Sequence, residues 1–138
     1  MTESDIPHIL PLLQEMHETS PLKLPPLSLP KVEATLRNCL RDGVVFLAPR
    51  YEGILALRHC AFWYSDATFL ADQVFYVSVH HRKSRHALRL LCAAKAYAKM
   101  RNLPLLMATS HGGDVERKNN FYQRSGMRLI GGVFERGL

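Results

Sequence analysis

The chain has 138 residues, 47% hydrophobic and 22% charged, which describes one globular domain with a single sizeable core and leaves no room for a second. Eighteen Lys and Arg against 12 Asp and Glu give a formal charge of +6, a surplus suited to nucleic acid, an acidic protein or a phosphorylated cofactor. No stretch approaches the roughly 18 apolar residues of a membrane span, so no membrane partner is expected.

The start, MTESDIPHIL, is acidic and polar and lacks the cationic lead of a secretory signal. Residues 5 to 18 carry Ile6, Ile9, Leu10, Leu13 and His17 on one helical stripe, with Ser4 as the capping hydroxyl and Pro7 in the first turn. Pro21, Pro25, Pro26 and Pro30 make 20 to 30 an extended loop. Residues 30 to 41 are predicted helical on Val32, Leu36, Cys39 and Leu40, and Asp42-Gly43 ends them.

Strands are predicted over 44 to 48, 54 to 64 and 68 to 79, separated by Glu52-Gly53 and Ser65-Asp66. The third is β-branched and aromatic at its centre, Val74-Phe75-Tyr76-Val77. From Ser84 to Met100 the residues Ala87, Leu88, Leu91, Ala94, Tyr97 and Ala98 recur at helical spacing, and Asn102-Leu103-Pro104 stops them. A short buried strand follows at 105 to 109, then a His111-Gly112-Gly113 loop. A helix capped by Asp114 runs to Arg124, and Ser125-Gly126 ends it before a last strand at 127 to 134. There is no repeat or linker, so 1 to 138 is one α/β (α+β) domain with a mixed, mostly antiparallel sheet and flanking helices.

The three cysteines, Cys39, Cys60 and Cys92, are odd in number and form no CxxC pair. They read as reduced, mostly buried thiols of a cytoplasmic protein, with Cys92 in the core. No H-E-x-x-H or similar spacing is present, so no metal is expected.

The densest basic cluster, His80-His81-Arg82-Lys83-Ser84-Arg85-His86, lies between the Val-rich strand and a helix start. A helix N-terminus presents unpaired amides and partial positive charge, a ready seat for a pyrophosphate. Here the chain resembles the GNAT acetyltransferase superfamily. That family carries an (Arg/Gln)-x-x-Gly-x-(Gly/Ala) turn between its fourth strand and third helix. Arg82-Lys83-Ser84-Arg85-His86-Ala87 fits the turn, and Val77-Ser78-Val79 fits the strand end. The central glycine of the pattern is Arg85 here, whose backbone has to stay in an ordinary helical region. The resemblance implies acetyl-CoA as co-substrate. Its pyrophosphate would lie on residues Arg82, Lys83, Ser84, Arg85, His86 and Ala87, and its pantetheine arm along Val77, Ser78 and Val79.

A second motif, Asn119-Asn120-Phe121-Tyr122-Gln123-Arg124-Ser125-Gly126-Met127, is similar to the family's F-Y-x-x-x-G-F, with Met127 in place of the last Phe. The resemblance implies that Tyr122 lies near the thioester sulfur as general acid. A phenol, with a reference pKa of about 10, is protonated at neutral pH. Asn119 stands in for the cofactor-bonding Asn that the family carries nearer to position 115. The family often takes its base from an acidic residue on the fourth strand, which implies Asp72, expected at the start of that strand here. His80, His81 and His111 are the alternatives.

The resemblance thus implies an N-acetyltransferase working by direct attack of an amine. The acceptor is an amine-bearing small molecule or protein, bordered by 20 to 30 and 62 to 69. The resemblance further implies that the family's opening strand is missing here, which would leave a sheet edge for a homodimer. Two other readings use the same residues. One is a GNAT-like sensor or scaffold that binds CoA without turnover. The other is a basic nucleic-acid-binding module, which the lack of an aromatic ladder or recognition helix disfavours.

Overall fold

The computed structural model describes residues 1–109 and 113–136. Four helices surround one four-stranded sheet in the order α1(Ile6–Glu18), α2(Leu29–Asp42), β1(Gly43–Leu47), β2(Gly53–Ala61), β3(Thr68–Val77), α3(His86–Arg101), β4(Leu105–Leu106) and α4(Val115–Arg124). Short 3-10 turns at Glu3–Asp5, Pro49–Tyr51 and Val79–His81 join them. The strands run β1-β2-β3-β4 across the sheet, antiparallel except for the parallel pair β3-β4. Among the described residues no strand precedes α1; the amino group of Met1 donates instead to the Val45 carbonyl at 3.3 Å.

Local chemistry accounts for most element boundaries. The Ser28 side chain accepts from Lys31 N–H and opens α2 with Pro30 in its first turn. Asn102 takes the left-handed conformation (φ 54°) and closes α3. Gly126, at φ 83°, follows α4, where a β-carbon would be strained. α1 differs from expectation: Ser4 lies inside a preceding 3-10 turn, and Asp5 occupies the cap position.

Two cores sandwich the sheet. One face packs Ile6, Ile9, Leu12, Leu36 and Cys39 of α1 and α2 against Val45, Ile54 and Ala56. The other packs Leu90, Ala94 and Ala98 of α3 against Leu55, Leu57, Leu70 and Val77. The predicted stripe of α3 is corrected in detail: Leu90 is buried, while Leu88 and Cys92 are exposed, so Cys92 is not a core thiol. Cys39 is buried and Cys60 half-buried.

The strands are also shorter than their sequence patterns. β3 stops at Val77, and Val79 begins a 3-10 turn. β4 has two residues rather than five. Residues 127 to 134 form no strand, and Leu129, Ile130, Val133 and Phe134 are exposed. A strand needs a neighbouring strand as well as a β-prone sequence, and among the described residues these have none.

Candidate active site

The β2-β3 pairing slips between Ala56 and Leu57, so that Ala56 faces Val74 and Leu57 faces Asp72. Gln73 is the extra residue of this bulge. It reverses the alternation of β3: Leu70 packs on the α3 face before it, Phe75 and Val77 after it. Asp72 therefore lies in mid-strand, not at the strand's start.

The bulge also marks where the sheet parts. Among the described residues β3 pairs with β4 only at Leu70↔Leu105 and Ala71↔Leu106, although it runs on to Val77. The Asp72 carboxylate spans the divergence by accepting from Ala108 N–H at 2.8 Å. Beyond it, the outer edge of β3 has no strand partner among the described residues. α4 crosses the opening. Phe75 meets Phe121 at 6.3 Å and Tyr122 at 6.4 Å between ring centroids, and these two rings lie 5.5 Å apart. A cleft of about 720 Å³, lined by Leu88, Asp114, Arg117, Asn120, Phe121 and Arg124, runs between the start of α3 and α4.

Tyr122 sits where its phenol is held protonated. Burial pushes its pKa well above the ordinary value of 10, and the negative charge of Asp72 pushes it further. On the same helix, Asn119 Oδ1 is buried with no hydrogen-bond partner among the described residues. An unmatched buried acceptor costs about 1–3 kcal/mol, so this atom is suited to a donor from a ligand.

The basic turn stands at the other end of the opening. Arg82, Lys83, Ser84 and Arg85 are exposed. Arg85 has φ −87° and ψ 11°, so an arginine at the family's glycine position forces no left-handed backbone. The Ser84 hydroxyl donates to the His81 carbonyl (2.5 Å) and its oxygen accepts from His86 N–H (3.2 Å). The Ala87 and Leu88 amides belong to the first turn of α3, which has no helical acceptors. Arg82 lies over the Tyr76 ring at 5.6 Å. Burial, and after it the charge of Arg82, lowers the pKa of Lys118 on α4, while Asp114 works the other way. Cations from two elements are thus gathered at one mouth, an arrangement that favours an anion between them.

The remaining candidates are engaged elsewhere. Val77 is buried at the end of β3. The Ser78 hydroxyl donates to Glu15 Oε2 at 3.1 Å and the Val79 amide to Glu15 Oε1 at 2.8 Å, both toward α1. His86 Nε2 donates to Glu52 Oε2 at 2.7 Å, and His81 lies 3.5 Å from the same oxygen. His80 is exposed, and His111 lies outside the described residues. Sequence reasoning missed Glu15, Glu52, Phe75 and Lys118. Only Phe75, in the aromatic centre of its strand, carried a signal. Among the described residues no group of three or more His, Cys, Asp or Glu could hold a metal, and no helix is long and apolar enough to cross a membrane.

No family model matches the chain, and no curated protein matches it. Solved structures do. An acetyltransferase of Trypanosoma brucei matches with a TM-score of 0.71 at 18% identity, covering 100% of this chain and 96% of that one. A GNAT family acetyltransferase of Staphylococcus aureus matches at 0.64 and 17%, covering 100% and 95%. A protein of Clostridium acetobutylicum, described as a predicted acetyltransferase and solved with acetyl-CoA, matches at 0.75 and 12%, covering 99% and 92%. The fold is that of the GNAT acetyltransferases: one α/β domain with a mixed sheet between helices.

Proposed function

We propose that this protein transfers an acetyl group from acetyl-CoA to an amine, with the cofactor lying in the gap between β3 and β4. The observation that carries the reading is that gap itself: a strand edge with no strand partner among the described residues, a basic helix start at one end and a protonated, half-buried tyrosine over it.

The free edge of β3, ending at Val77, would receive the amides of the pantetheine arm as a neighbouring strand would. Asn119 Oδ1 would accept one pantetheine N–H. The first-turn amides of α3, with Arg82, Lys83 and Arg85, would hold the pyrophosphate. Acetyl-CoA supplies an activated thioester. Tyr122 donates a proton, or a strong hydrogen bond, to the departing sulfur. Its high proton affinity keeps the phenol charged with a proton throughout the neutral range. Asp72, on the bulge beside Tyr122, is the candidate acceptor of the amine proton. The neighbour solved with acetyl-CoA supports this choice of co-substrate.

Calorimetric titration of acetyl-CoA tests the reading. Binding that survives in Tyr122→Phe but weakens when Arg82 and Lys83 are both changed to Ala is the expected result. Loss of acetyl transfer to a panel of amines by about 100-fold or more in Tyr122→Phe, with binding kept, would assign it the acid role. No binding at millimolar acetyl-CoA refutes the proposal and turns attention to nucleic acid on the basic turn.

A further inference from the structure

Beneath the basic turn lies a second set of charges that the proposed chemistry does not use. Glu52 is 9% exposed, and three basic side chains from three elements converge on it. Arg50 Nε donates to Oε1 at 2.8 Å, His86 Nε2 to Oε2 at 2.7 Å, and His81 Nδ1 lies 3.5 Å from Oε2. The Glu52 carbonyl also accepts from Ser78 N–H at 2.9 Å, so backbone and side chain of one residue grip both the entry and the exit of the turn. A neighbouring cleft of about 300 Å³ brings His8 and Glu15 of α1 toward the same group, alongside Tyr51 and Ser78.

The physical need for this carboxylate is plain. A buried charge persists only when paired. His86 is the first residue of α3, where the helix dipole opposes a cation. Arg82, Lys83 and Arg85 stand within four residues and repel it too. One buried carboxylate under the turn offsets this accumulation and fixes which way the cations face.

We infer that Glu52 is a positioning residue for the anion-binding turn, clamping His86 and His81 from the protein side so that Arg82, Lys83 and the α3 amides face the phosphates. This rests on the reading that the 82–87 turn holds the cofactor's pyrophosphate. The lowered pKa of Glu52, caused first by its bond to His86, fits the role.

The test is calorimetry with acetyl-CoA and, separately, inorganic pyrophosphate. The wild type should bind both. Glu52→Gln should bind about tenfold more weakly, the loss of one charge-assisted contact, and Glu52→Asp, which keeps the charge, should recover part of that loss. Thermal melting reports whether the Gln variant folds. His81→Gln, at a more exposed position, carries the test if it does not, and should show weaker binding. Folded Glu52→Gln that binds both ligands within about twofold of wild type overturns the clamp while leaving the cofactor reading intact. Glu52-dependent pyrophosphate binding without acetyl-CoA binding supports the clamp and removes the cofactor reading. Failure of the wild type to bind either ligand overturns both.

Discussion

Glu15 offers a sharp test of how the end of β3 is fixed. Its carboxylate reaches from α1 to accept from three donors: Tyr76 O–H (3.0 Å) and Val79 N–H (2.8 Å) at Oε1, and Ser78 O–H (3.1 Å) at Oε2. Burial alone would raise its pKa, but the three donors and nearby His80 outweigh it and hold it below the ordinary 4.5. Glu15→Gln keeps the shape and one carbonyl oxygen. It removes the charge that strengthens each bond and turns an NH₂ toward Ser78. A charge-assisted bond exceeds a neutral one by about 1 kcal/mol. Three such bonds, discounted for solvent screening at a half-buried site, give a loss of about 2 kcal/mol at pH 7. The sign with pH follows from the lowered folded value. The contribution is fully present above the unfolded value near 4.5 and is lost as pH falls through the folded one. Urea unfolding of both proteins at pH 7 and at pH 3 should show a wide gap that closes in acid. An equal gap at the two values would refute the claim that charge, rather than shape, holds this end of the strand.

Two further outcomes are expected. Leu91 is fully buried in α3, and Leu91→Ala should cost about 3–5 kcal/mol in urea unfolding with an unchanged m-value. In Asp72→Asn the Tyr122 phenol should titrate at lower pH than in the wild type, because one of its two causes of elevation is gone; ultraviolet difference spectra against Tyr122→Phe would detect it, and an unmoved titration would separate the two side chains electrostatically.

Helices were the most readable part of this chain. Asn102 before Leu103-Pro104 and Gly126 after α4 mark their ends by local chemistry alone, whereas Ser28, the cap of α2, fell within the stretch read as loop. The strands were readable in kind but not in extent. Residues 105 to 109 and 127 to 134 look alike as apolar runs, yet only Leu105 and Leu106 find a ladder, because pairing depends on a neighbour far away in sequence. Tyr122 and the basic turn were visible through their motifs, and Asp72 through its strand. Glu52 was not. In sequence it belongs to a Glu-Gly turn, and its burial arises because a 3-10 turn with Arg50 and Tyr51 at positive φ folds it inward toward residues some thirty positions on. Nothing local in a sequence records such a convergence.

The brevity of the β3-β4 ladder has a consequence in time as well as in shape. Two paired rungs, the Leu70 N–H bond to the Pro104 carbonyl (2.8 Å) and the Asp72 bridge join this side of the sheet to the rest. β2, by contrast, is paired along both of its edges. Segments held by few amide bonds open at a fraction of the global unfolding free energy. The amides around Leu105 to Ala108 should therefore exchange with solvent well before those of Ile54 to Leu57. The sheet then behaves as a firmly paired three-stranded plate with a margin that opens first.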